Sequence, residues 1–271
     1  MHRLLLAAVL GMSAVAAHAQ TLTVHAAGSL RGALTELARA FEAQQPGTHV
    51  VLVFGASGLL KERLLAGEAS DVFASANMAH PQALAAAGKA DAVQRFTRNA
   101  MCVLAHPSVA PTSEGLAAAL LHPALRVGTS TPGADPSGDY AFELFDRIER
   151  SGAGPAGSAA ALKAKALQLT GGPQSPPPPA GRNVYGMLVA ERQADLFVTY
   201  CTNATLALRE QPSLKTVAVP AAWGVAADYG IAALRSGDAP REALGRRFVE
   251  FVLAPDAQAL LARHGFALRT P

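Results

Sequence analysis

Short runs of β-branched and apolar residues alternate along this chain with longer stretches whose apolar positions recur every three or four residues. The short runs fall at Thr21–Ala27, His49–Gly55, Asp71–Ser75, Ala100–Ala105, Arg126–Ser130, Asp195–Tyr200, Thr216–Pro220 and Gly230–Leu234, and each is predicted to form a strand. Helical spacing puts Leu30, Leu34, Leu37, Ala38 and Phe41 on one stripe and Phe142, Phe145 and Ile148 on a second. Val184, Met187, Leu188 and Glu191 begin a third, and Pro240–Leu253 and Pro255–His264 read as two consecutive helices. Strand–helix alternation of this kind predicts an α/β fold with mostly parallel sheets and helices on both faces. The prolines at 176–179 predict a stiff surface loop that acts as a spacer before the third helix, in preference to a ligand for a proline-binding domain.

The first residues carry a separate signal. Met1-His2-Arg3 is basic, Leu4 to Val9 is unbroken apolar sequence, and Ala17-His18-Ala19 is a small-x-small pattern. This layout predicts a signal peptide over residues 1–19, cut between Ala19 and Gln20, and hence export to the periplasm. A membrane anchor is the weaker reading, because the apolar stretch falls short of the ~20 residues that span a bilayer. Export would place Cys102 and Cys201 where a disulfide persists. The sequence leaves open whether they pair or remain two buried thiols.

Composition narrows the chemistry. Half of the 271 residues are hydrophobic and 16% are charged, with a net charge of +3, which excludes a disordered tail, a collagen-like repeat and a dedicated nucleic-acid binder. The eight histidines form no HExxH or HxH spacing, so a locally encoded metal site is not expected. Neither phosphate-loop glycine pattern occurs. Phe54-Gly55-Ala56-Ser57-Gly58-Leu59 approaches a nucleophile elbow but has Leu59 where the second glycine belongs. A secreted serine hydrolase using Ser57, with Asp256 and His264 as partners, is therefore the weaker alternative from another functional class.

The residues just beyond the strand ends are more informative. Ser29 comes after the first strand, Ser57 after the second, Ser137 after the turn beyond Arg126–Ser130, and Asn183 after the proline run; each precedes a helical stretch. Ser and Asn favour N-caps. Helix starts also present free N–H groups and the positive end of a dipole, so several converging starts form an anion cradle without Lys or Arg. In doubly wound sheets ligands bind beyond the carboxyl ends of strands. Asp139, in the first turn after Ser137, is expected to favour the dipole while pointing away from the anion.

Taken in order, these segments resemble the molybdate-binding periplasmic proteins, the solute receptors of molybdate ABC importers. The likeness runs through Val24-His-Ala-Ala-Gly-Ser-Leu30, Phe54-Gly-Ala-Ser-Gly58, Asp71-Val-Phe-Ala-Ser75, Pro136-Ser-Gly-Asp-Tyr-Ala141 and Val198-Thr-Tyr-Cys-Thr-Asn-Ala204. It closes with Phe248-Val-Glu-Phe-Val-Leu-Ala-Pro-Asp-Ala-Gln258 and His264-Gly-Phe266. Asn203 stands where that family carries Asp, and Ala56 where it carries Ser.

The resemblance implies two doubly wound α/β lobes joined by a hinge, with the ligand cleft between them. Lobe I would comprise 20–100 and 225–271 and lobe II 101–224, with crossings near Asn99–Cys102 and Ala222–Tyr229. It implies a monomeric receptor, not an enzyme, needing no cofactor and delivering molybdate or tungstate to an inner-membrane permease. By matched position, Ser29 and Ser57 would offer hydroxyl and backbone N–H groups, Ser137 and Asn183 backbone N–H groups, and Tyr200 its phenol. Sulfate or a small organic carboxylate remains an alternative cargo.

Overall fold

In the computed structural model, which describes residues 20–109, 111–177 and 181–269, the apolar runs become strands of one long curled sheet. The expected signal peptide, residues 1–19, and two of the four prolines at 176–179 lie outside the described residues. The chain opens as β1 (Gln20–Ala27), α1 (Arg31–Gln44), β2 (Thr48–Gly55), α2 (Ser57–Leu65), β3 (Val72–Ser75) and α3 (Ala79–Ala86). It continues through β4 (Gln94–Ala105), α4 (Leu116–Leu121), β5 (Val127–Ser130), α5 (Pro136–Arg150), α6 (Ser158–Lys165) and β6 (Leu167–Thr170). The remainder is α7 (Val184–Ala190), β7 (Leu196–Tyr200), α8 (Cys201–Glu210), β8 (Lys215–Ala218), β9 (Ala226–Ala233), α9 (Ala239–Leu253) and α10 (Pro255–Arg263).

Strand order is β2-β1-β3-β9-β4-β7-β5-β6, with β8 pairing β4. β4 divides the sheet. From Gln94 to Ala100 it pairs with β9. From Met101 onward it pairs with β7, and from Cys102 also with β8. The first half thus holds β2, β1, β3 and β9, and the second β7, β5, β6 and β8. β1, β2 and β3 are parallel, as are β5, β6 and β7.

The expectation of mostly parallel sheets needs correction at the centre, where every pairing of β4 and β9 is antiparallel. β4 also starts at Gln94, ahead of the expected Ala100. A register shift between Arg95 and Thr97 buries consecutive residues Phe96 and Thr97, which erases the alternation that marks a strand. β6 was not anticipated; Leu167 and Gln168 are exposed on this short strand at the end of the strand order.

Packing follows the predicted stripes. Leu34, Leu37, Ala38 and Phe41 of α1 are buried, as are Leu22, Val24 and Ala26 of β1. Phe41 meets Phe248 of α9 edge-on, with ring centroids 5.1 Å apart. In the other half, Leu144, Phe145 and Ile148 of α5 are fully buried. Each such side chain contributes about 1.5–3 kcal/mol of burial. Among the described residues, no helix is long and apolar enough to cross a membrane.

Cys102 of β4 and Cys201 at the start of α8 form a disulfide, with Cα atoms 4.9 Å apart, which decides the question the sequence left open. The bridge fixes the entry of α8 against the strand that joins the two halves. It links residues 99 apart in sequence. Replacing both cysteines by Ser should therefore cost about 2–5 kcal/mol. Urea unfolding of the variant against the oxidised wild type measures this, and coincident curves would contradict it.

Candidate functional site

The carboxyl ends of four strands supply the polar groups where the halves meet. β1 runs into a single helical turn, Gly28–Leu30, that carries Ser29. β2 leads through Ala56 into α2, with Ser57 as its first residue. β5 ends at Ser130 and turns through Pro132–Ala134 into α5, and β7 ends at Tyr200 directly before α8. A continuous path of contacts joins them. Ser29 Oγ lies 2.9 Å from Tyr229 OH, whose ring lies 5.6 Å from that of Tyr200. The Tyr200 hydroxyl donates to Ala76 O at 3.4 Å, and Ala76 N–H donates to Ser57 Oγ at 3.1 Å. Gly58 N–H donates across to Ala134 O at 2.9 Å, and Asp135 accepts from Ser137 N–H at 3.0 Å.

Two glycines make this approach possible. A Cβ on Gly58 would sit 2.6 Å from both Ala134 O and Gly133 O, so a larger residue would push the halves apart. A Cβ on Gly138 would meet Ser130 O at 2.6 Å, so glycine there lets the start of α5 tuck under the end of β5.

The structure brings Ser29, Ser57, Ser137 and Tyr200 together but leaves Asn183 off this path. Asn183 caps α7, its Oδ1 accepting from Gly186 N–H at 2.9 Å. Its own N–H donates to Glu210 Oε2 at 2.6 Å, and its Nδ2 donates to Asn203 O. Arg182 and this N–H hold the Glu210 carboxyl below its ordinary range, so a carboxylate occupies the donor assigned to the anion.

Of the four serine and asparagine caps expected, only Asn183 caps its helix through its side chain. Ser29 lies within its short turn, and Ser57 and Ser137 are inside their helices. Pro136 takes the first position of α5, which moves the cap back to Asp135. Asp139 behaves locally, its Oδ1 accepting from Gly133 N–H at 2.8 Å.

The polar states suit hydrogen-bond donation. Burial holds the phenols of Tyr200 and Tyr229 well above their ordinary range and pushes Tyr140 to about 12, so all three keep their protons. Ser57 Oγ accepts from a backbone N–H, leaving its hydroxyl proton available. Ser130 Oγ and Ser137 Oγ are buried without a partner. A buried polar group left in that state costs about 1–3 kcal/mol.

Asp135 is the exception. The residue is half-buried, and its carboxyl turns inward against Gly171. Desolvation raises it to about 6 even though Ser137 N–H opposes the shift. The Asp135-Pro136 dipeptide was the overlooked signal, since Pro at a first helical position marks the preceding residue as the cap. Tyr229 was missed because the last strand was expected to begin at Gly230, one residue too late to include it.

The pairing a hydrolase would need is not formed. Ser57 Oγ engages Ala76 N–H, while His264 Nε2 lies 2.9 Å from Glu36. Among the described residues, no group of three or more His, Cys, Asp or Glu could hold a metal ion.

Comparison with known proteins identifies the family. Residues 22–267 match the family model described as bacterial extracellular solute-binding protein. An uncharacterized protein of Pasteurella multocida is 38% identical over 78% of this chain and 86% of its own. The molybdate-binding protein ModA of Mycobacterium tuberculosis is 30% identical over 92% of this chain and 85% of its own. Among solved structures, the periplasmic molybdate-binding protein of Azotobacter vinelandii superposes with a TM-score of 0.71 at 19% identity, covering 92% of this chain and all of its own. The sulfate-binding protein SubI of Mycobacterium tuberculosis superposes with a TM-score of 0.75 at 17% identity, covering 93% of this chain and 88% of its own. At these identities the two structures share the fold with this chain.

The Asp135 carboxyl makes stability depend on pH. Its folded pKa of about 6 lies above the ordinary value of 3.8, so the native state holds this proton more tightly than the unfolded chain. The stability it contributes is complete below about pH 4 and is lost as pH rises through about 6. Asp135→Asn keeps an acceptor for the cap and cannot ionise. It should be more stable than wild type by about 1–3 kcal/mol at pH 7, discounted for partial exposure, with the gain vanishing near pH 4. Urea unfolding across that range checks it, and a gain independent of pH would refute it.

Proposed function

The chain belongs to the bacterial extracellular solute-binding proteins, and from that premise we propose that it captures molybdate or tungstate as an intact tetrahedral oxyanion between its two halves. The observation that carries this reading is the meeting, at one seam, of uncharged hydroxyl donors from both halves. Ser29 and Ser57 come from the first; Ser137 and Tyr200 come from the second.

A tetrahedral dianion offers acceptors only, so serine and tyrosine O–H and backbone N–H groups complement it whereas a carboxylate repels it. Each hydrogen bond to a charged acceptor contributes about 1.5–3 kcal/mol. Four to six of them offset a large dehydration cost and still leave micromolar affinity or better, about −8 kcal/mol. The anion would displace the Asp135 carboxyl from Ser137 N–H, and protonation of that carboxyl makes the displacement easier. Asn183 would join only if Glu210 moved away from its N–H.

In this reading lobe I is residues 20–100 with 225–271 and lobe II is 101–224. The hinge lies where β4 changes partners, near Asn99–Cys102, and in the return through Ala222–Tyr229. Closure of the lobes completes the donor shell. Residues 1–19 would export the chain to the periplasm, where the closed monomer presents its cargo to an ABC permease. The relative named for molybdate supports this choice of anion. SubI favours a second reading in which the same donors hold sulfate.

Titration calorimetry with molybdate, tungstate and sulfate separates the two. Molybdate and tungstate should bind alike and sulfate more weakly, because the smaller anion leaves donors unmatched. Ser57→Ala should weaken molybdate binding about 10- to 100-fold, the loss of one charge-assisted hydrogen bond. Equal heats for molybdate and sulfate, or an unchanged Ser57→Ala, would remove the proposal.

A further inference from the structure

Whether a serine hydroxyl can serve an anion depends on where its own proton points, and at Ser29 the surrounding hydrogen bonds determine this. We propose that Asn99 and Tyr229 form a proton-ordered relay at the hinge that leaves Ser29 with its O–H proton free for the ligand, so that the cleft prefers oxyanions without a proton. The inference rests on the oxyanion reading above and identifies the residues behind its selectivity.

The order begins at Asn99, on β4 just before that strand changes partners. Its Oδ1 accepts from Ala100 N–H at 2.9 Å, which fixes which end of the amide is the NH2 group. That NH2 faces Thr202 Oγ1 at 2.8 Å and Tyr229 OH at 3.3 Å. An amide nitrogen only donates, so both oxygens accept from Asn99. The Tyr229 side chain is fully buried, and its hydroxyl lies 2.9 Å from Ser29 Oγ, while the neighbouring Tyr200 phenol donates its own proton to Ala76 O. An undonated buried O–H is costly, so the Tyr229 proton goes to Ser29. Burial keeps that phenol protonated. Ser29 is thereby an acceptor toward Tyr229, and its own proton is uncommitted.

Thr202 is ordered in the same way from the other half, and it lines one small depression with Ser29. A single amide at the crossing strand thus orients a hydroxyl in each half. Asp135 accepts from Ser137 N–H and turns its other oxygen toward Gly171. A protonated oxyanion would bring an O–H to a Ser29 oxygen that already accepts from Tyr229.

The test measures Kd for molybdate, which carries acceptors only, and for hydrogen phosphate, which carries one proton. The proteins are wild type, Tyr229→Phe, Ser29→Ala and the double variant. Phenylalanine preserves the ring contacts with Phe96, Tyr200 and Phe266, and thermal melting confirms that each variant folds. Tyr229→Phe should raise the molybdate Kd about tenfold and move hydrogen phosphate less than about threefold, narrowing the preference between them. In the Ser29→Ala background the same change should add nothing, because Tyr229 acts through Ser29.

Equal losses for both anions, or additive losses in the double variant, would overturn the relay while leaving molybdate binding by the wild type in place. A wild type that ignores molybdate or prefers hydrogen phosphate would overturn the oxyanion reading and the relay with it.

Discussion

The hydrogen bond from Gly58 N–H to Ala134 O brings the backbones of the two halves into direct contact, and the candidate site is arranged around it. It joins the start of a helix in one half to the turn before a helix in the other, and no side chain fits between them. Once the halves approach this closely, the hydroxyls at the ends of β1, β2, β5 and β7 leave water together. Some of them, Ser130 and Ser137, then have no acceptor. Groups of this kind are expensive to bury unless their chemistry is used. An anion is the ligand that would use several of them at once.

The arrangement relies on neutral donors because it is dry. Lysine or arginine at the seam would hold an anion strongly but would itself have to be desolvated. Phenols and serines carry no such penalty, and burial keeps the phenols protonated. The charged pairs lie elsewhere: Arg126 with Asp195, Arg241 with Asp71, and Arg182 with Glu210 join neighbouring elements away from the path from Ser29 to Ser137. Asp135 departs from this rule. It serves the start of α5 as a cap, and its desolvated carboxyl makes stability responsive to protons.

Much of the fold was legible because its strands are short, apolar and separated by regular helices. β1, β2, β3, β5 and β7 lie within a residue of where alternation and β-branching placed them. The central strands were harder to read for a physical reason. β4 carries a register shift at Arg95/Thr97 and changes partners at Ala100, so its first half shows no clean period. Three of the four positions singled out on the path, Ser29, Ser57 and Ser137, were found by reading helix starts. None of the three caps its helix, however: Pro136 hands the cap of α5 to Asp135, and Ser57 turns its oxygen to Ala76. Tyr229 and Asn99 left no local trace, because what they do depends on contacts made 200 and 103 residues away in the chain.

The most direct measurement is diffraction at the molybdenum absorption edge from crystals grown with molybdate. One strong anomalous peak is expected, enclosed by Ser29, Ser57, Ser137 and Tyr200, with four oxygens within hydrogen-bonding distance of their hydroxyl or backbone groups. A peak on the outer surface, or density in the cleft held by charged side chains, would contradict it.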